Sequence, residues 1–168
     1  MATITHYFDS AAFIPDATTG AAQSAAVSPT NFPVPFLAFD PAADEIAFTR
    51  FVATSYGSGN LTLTILWYAD SASSGDVVWS AAIGAITPDT DSQDIETDAF
   101  ATANTVTDSH LGTTGQRVHA AVITISNLDS IAAGDLVQLK LSRTGSSGSD
   151  TMTGDALVVG CTLAYSDT

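Results

Sequence analysis

Between Asn60 and Tyr68 the chain alternates with a period of two. Leu61, Leu63, Ile65 and Trp67 fall on one face; Thr62, Thr64, Leu66 and Tyr68 fall on the other. That spacing fits a half-buried strand and no helix. The same rhythm returns at Asp76–Ile83, with Val77, Trp79, Ala81 and Ile83 in phase. Val118–Ser126 carries Ala121, Ile123 and Ile125 on one side. Asp135–Arg143 turns Val137, Leu139 and Leu141 inward and Gln138 and Lys140 outward. In Asp155–Tyr165, Leu157, Val159, Cys161, Leu163 and Tyr165 form one stripe. Glu45–Thr54 and Thr3–Phe8 add two more strands. Such alternation belongs to antiparallel sheets with one solvated face, not to parallel sheets buried on both faces.

The linker Asp70-Ser71-Ala72-Ser73-Ser74-Gly75 has turn chemistry, so the strands on either side of it are expected to pair as a hairpin. Leu128–Ala133 is expected to make one helical turn ended by Gly134. Composition agrees with an all-β chain. There are 23 Thr and 18 Ser, 16 of the 18 acids are Asp, and Lys140 is the single lysine. Asp, Ser and Thr compete with helical backbone bonds, and Thr and Val suit strands. The fold class expected is an all-β antiparallel two-sheet sandwich, jelly-roll-like, with an extended N-terminal arm.

Residues Ser10–Pro35 have no period and carry Pro15, Pro29, Pro33 and Pro35. Prolines push the residues before them into extended backbone. This divides the chain into residues 1–44, a strand and an extended Pro/Ala-rich arm, and residues 45–168, the sandwich. Phe32, Pro33, Val34, Pro35 and Phe36 are the candidate contacts to another subunit or surface.

The charge excludes several classes of function. Four basic residues face 18 acids, for a formal net charge of -14. Phosphate contacts need a basic stripe, so no nucleic acid is expected as a partner. No membrane is expected either: no apolar run nears the ~20 residues of a span, and anionic headgroups would repel the chain. Met1–Ser10 lacks the basic and apolar regions of a secretory signal. Cys161 has no partner for an intrachain disulfide.

The search for chemistry returns mostly negatives. Phosphate-cradling loops, the GxSxG elbow and HExxH are absent. His6, His110 and His119 lack ligand spacing, so neither enzyme activity nor a cofactor is expected. The acidic run holding Asp89, Asp91, Asp94 and Glu96 is a weak calcium candidate. It lacks the glycine of a calcium loop, and a solvated loop is the preferred reading. Arg143 and Asp150 flank a Gly/Ser-rich loop and are expected to form a structural ion pair. Trp67, Tyr68 and Trp79 offer either a sugar-stacking platform or core packing, and their phase favours the core.

Three blocks carry a resemblance: Leu66–Asp70 with Ser74–Trp79, Ala133–Arg143, and Asp150–Gly160 with Tyr165. Over roughly residues 45–165 they resemble small β-sandwich proteins encoded among the virion structural genes of tailed bacteriophages. Some of those are jelly-roll decoration (cement) proteins on the capsid exterior. The resemblance implies a homotrimer made in the host cytoplasm. It would bind the major capsid protein on the virion exterior and stabilise the shell. The alternative is a tail-associated receptor or glycan-binding module, with Tyr68, Tyr56 or loop aromatics meeting sugar.

Overall fold

The computed structural model describes residues 1–27, 33–72, 74–112 and 115–167. Among these residues eleven strands form two sheets. The strands are β1 (Thr3–Asp9), β2 (Ile14–Pro15), β3 (Ala22–Val27), β4 (Val34–Phe39), β5 (Asp44–Val52), β6 (Tyr56–Ala69), β7 (Asp76–Ile86), β8 (Asn104–Ser109), β9 (His119–Ile125), β10 (Leu136–Thr144) and β11 (Ala156–Asp167). The first sheet runs β3-β4-β11-β6-β9, with β1 also on β11; the second runs β2-β5-β10-β7-β8. All strand pairings are antiparallel. The protein is a two-sheet, jelly-roll-like sandwich.

The alternating stripes meet between the sheets. Leu61, Leu63, Ile65 and Trp67 of β6 face Val77, Trp79, Ala81 and Ile83 of β7 and Val137, Leu139 and Leu141 of β10, all fully buried. The Trp67 and Trp79 rings meet edge to face at 6.0 Å across the layer. Each such side chain contributes roughly 1.5–3 kcal/mol of burial energy. The two indoles are therefore core, and the platform reading of Trp67 and Trp79 falls. The Cys161 thiol is fully buried, and desolvation raises its pKa.

Four local expectations are corrected. First, β6 and β7 do not form a hairpin. β6 pairs with β9 and β11, and β7 pairs with β8 and β10. The linker after Ala69 crosses from one sheet to the other, because both strands bury an apolar stripe and only facing sheets can join those stripes. Gly75 makes the corner possible. Its φ is +101°, and a Cβ there would stand 2.7 Å from Met152 Cα.

Second, the β11 stripe changes phase. A bulge between Val158 and Gly160 lets Ala156 and Val158 point inward before Cys161, Leu163 and Tyr165 resume. One edge of β11 also changes partner there, from β4 to β1.

Third, residues 128–133 turn without a helix. Asp129 and Ser130 have φ of 49° and 57°, and the Asp129 carboxylate accepts the Ala85 amide at 2.8 Å. This bond anchors the turn on β7 instead of propagating a helical ladder.

Fourth, the described part of the N-terminal arm is sheet. β2 pairs with β5, and β3 and β4 pair side by side on the edge of β11. Strands from both sides of residue 44 therefore share each sheet. Extended backbone without alternation still finds partners when an open sheet edge offers unpaired N–H and C=O groups.

Candidate functional site

The second sheet has an outer face, and one loop folds onto it. Alternation turns Ala47, Thr49 and Phe51 of β5 inward and leaves Phe48 and Arg50 outward. The register sets Phe48 opposite Lys140 and Arg50 opposite Gln138. On the other side of β10, Gln138 lies opposite Gly84 of β7. After β7, residues 87–103 loop out and return to the edge of that strand, where the Ala101 amide donates to the Ile83 carbonyl at 2.9 Å. This return lays Phe100 over the sheet. Its ring stacks on Phe48 at 5.8 Å and carries the Lys140 ammonium 5.2 Å from its centroid.

The loop and the sheet enclose a groove of about 190 Å³. It is lined by Phe48, Gly84, Ile86, Ile95, Glu96, Asp98, Ala99, Phe100 and Gln138. Gly84 keeps the floor low by carrying no side chain. Gln138 is half-buried, and its side-chain amide has no hydrogen-bond partner among the described residues. The groove is smaller than the roughly 300–1,000 Å³ of drug-sized pockets and suits a single small ring.

The acidic loop braces itself. Asp91 accepts the Thr87 amide at 2.7 Å, Asp94 the Glu96 amide at 3.0 Å and Asp98 the Ala99 amide at 2.9 Å. Asp89 takes a left-handed turn, with φ of 62°. The four calcium candidates do not converge; Glu96 alone of them lines the groove. Among the described residues no group of three or more His, Cys, Asp and Glu is arranged to hold a metal.

Arg143 and Asp150 meet at 2.7 Å, both essentially without exposure. The guanidinium spends all five N–H donors. Nε and Nη2 reach the two Asp150 oxygens, Nη1 reaches the Phe39 and Gly154 carbonyls, and Nη2 also reaches the Met152 carbonyl. Asp150 also accepts the Val78 amide at 3.0 Å. The pair thus ties β10, β4, β7 and the loop before β11 together, with no donor left for a ligand.

Of the candidate contact segment, Phe32 lies outside the described residues. Pro33 and Pro35 are exposed, and Val34 and Phe36 are half-buried on β4. Phe36 packs edge-on against Tyr68 at 6.3 Å. Burial, followed by the charge of Asp70, raises the Tyr68 pKa. Tyr56 is in the core, and its hydroxyl donates to the Gly59 carbonyl at 2.6 Å. Sequence reasoning missed Phe48 and Phe100 as a pair. Their separation along the chain holds no signal, and only the loop's return brings them together.

A second polar cluster is closed. His119 is buried, stacks on Trp67 at 4.3 Å and lies 4.7 Å from His110. Burial lowers its pKa, with a smaller contribution from His110. Its Nε2 and the Trp79 Nε1 are buried without hydrogen-bond partners among the described residues.

No family model and no curated protein sequence matches the chain. Solved structures do. The xylan-binding module CBM15 superposes with a TM-score of 0.56 at 12% identity, covering 99% of each chain. The CBM36-1 domain of a multidomain xylanase from the hindgut metagenome of Trinervitermes trinervoides gives 0.54 at 10% identity, over 98% of this chain and 100% of that one. A family 35 carbohydrate-binding module from Clostridium thermocellum gives 0.50 at 9%, over 95% and 97%. The fold is a jelly roll of the carbohydrate-binding-module type. At these identities the likeness establishes architecture, and the groove must argue for function by itself.

Proposed function

We propose that the protein is a non-catalytic carbohydrate-binding module and that sugar sits in the groove above the second sheet. The observation that carries this reading is the company in that groove: a stacked pair of phenyl rings, an unpartnered amide and a carboxylate on one open face. A pyranose presents apolar C–H faces and a rim of hydroxyls. Phe48 and Phe100 suit the former. The Gln138 amide, which donates and accepts, and the Glu96 carboxylate, which accepts, suit the latter. The fold comparison supports this reading over capsid decoration. The homotrimer and the contact with a major capsid protein draw on the sequence resemblance alone.

Affinity electrophoresis through gels containing xylan, mixed-linkage β-glucan or non-crystalline cellulose tests the proposal. Retardation in at least one gel, weakened by Phe100→Ala, is the expected result. Unretarded migration in all three, together with silence on a glycan array, overturns it. Sedimentation velocity of the free protein tests the decoration reading separately, since that reading expects a trimer.

A further inference from the structure

The molecule has four basic side chains, and their fates differ. Arg143 is buried and saturated. Arg117 precedes β9, away from the groove. Arg50 and Lys140 remain, and both lie on the outer face of the second sheet beside the groove. Neither Arg50 nor Lys140 makes a side-chain hydrogen bond or ion pair with any described residue, and the Lys140 ammonium lies over the Phe100 ring. In a chain with 18 acids, two cations on one face without a carboxylate partner are unexpected on charge statistics. Because Arg50 opposes Gln138 and Lys140 opposes Phe48, the two cations are diagonal neighbours across β5 and β10. Such neighbours lie roughly 7–8 Å apart, within reach of two long side chains closing on one anion.

We infer that the bound glycan carries an isolated acidic group, a carboxylate or a sulfate, held between Arg50 and Lys140 beside the Phe48–Phe100 stack. This rests on the glycan-binding reading above and specifies its ligand class. The fork of Arg50 fits either oxyanion with paired N–H bonds. The Phe100 ring holds the Lys140 ammonium at the groove, which lowers the entropy lost on capture. Glu96 and Asp98 line the loop side, so they direct the acid toward β5 and take hydroxyls themselves. The formal charge of -14 repels a dense polyanion. With a Debye length of about 8 Å at physiological salt, one acid on an otherwise neutral chain escapes most of that repulsion. The ligand class is therefore a neutral-backbone polysaccharide with sparse acidic substituents.

Calorimetry of the full chain tests this with matched oligosaccharides. One pair differs by a single glucuronate in place of glucose; a second pair differs by one sulfate ester. The expected result is an acid-over-neutral affinity ratio of about tenfold at low salt, shrinking as salt rises. The pair showing the larger ratio identifies the acid. In Arg50→Gln and in Lys140→Gln the ratio, measured within each variant, should fall toward one. Equal affinity of the wild-type protein for both members of each pair overturns the inference and leaves glycan binding standing. Binding of neither member, with silence on the neutral polysaccharides, overturns both. A wild-type ratio that survives in both variants refutes the assignment to these two cations.

Discussion

Two cationic regions of this molecule show opposite treatment of the same chemistry. At one end of the sandwich Arg143 is sealed from water and every N–H is spent on Asp150 and three carbonyls. On the outer face of the second sheet Arg50 and Lys140 stand without a carboxylate partner among the described residues. Satisfied polar groups hold structure, because a buried charge is tolerable only when paired and fully hydrogen-bonded. Unsatisfied ones at a groove retain bonding capacity for something else. The contrast sets a structural node apart from the surface proposed to bind sugar.

The sharpest way to break this contrast is at the node. Arg143→Met leaves Asp150 buried without its cation and should cost about 3–5 kcal/mol of unfolding free energy, read by urea denaturation. Arg143→Met with Asp150→Leu should recover part of that loss. A cost below about 1 kcal/mol for the single variant would mean the node is not structural.

At the groove the expectation reverses. Phe100→Ala should weaken polysaccharide retardation about tenfold, in line with the loss of one stacked ring. Its unfolding midpoint should move far less than that of Arg143→Met. Stability and binding measured on both variants should therefore part in opposite directions.

A smaller effect probes the closed histidine cluster. Burial, with a smaller push from His110, lowers the His119 pKa from its ordinary value of 6.5. As pH drops through about 6.5 the unfolded chain takes a proton that the fold refuses, so stability falls with pH until the folded value is passed. His119→Phe, which can still stack on Trp67, should flatten the pH dependence of the melting temperature between about pH 7.5 and 5.

The smallest effect belongs to the acidic loop. Asp94→Asn can still accept the Glu96 amide and should change stability within about 0.5 kcal/mol. Millimolar calcium should give no heat with the wild-type protein, because Asp91, Asp94 and Asp98 serve separate backbone amides and no three acids of the described residues gather around one point. A saturable calcium isotherm would contradict that reading of the loop.

Much of the fold was legible because alternation is a local property. The inward faces of β6, β7 and β10 follow from residue types two apart. The phase slip in β11 was not legible. Leu157 and Val159 are as apolar as Val158, and only the bulge beside Gly160 decides which of them enters the core. The pairing of β3 and β4 was equally hidden, since Ala, Ser and Pro give little periodic signal and an edge strand is recruited by a neighbour's free backbone. Away from the candidate site, the ion pair of Arg143 and Asp150 was readable from their short separation. The stacking of Phe48 on Phe100, and the diagonal placement of Arg50 and Lys140 on neighbouring strands, was not.

By itself the sequence determined that this chain makes strands, which face of most of them is apolar, and that its surface is acidic. Each of these depends on side chains near one another along the chain. The tertiary structure alone decided that β6 and β7 separate into facing sheets, that residues 87–103 fold back over one of them, and that two cations with no carboxylate partner among the described residues stand beside a pair of rings. Those outcomes depend on which distant strands share hydrogen bonds and on how well whole faces pack, and neither quantity is written in any local stretch.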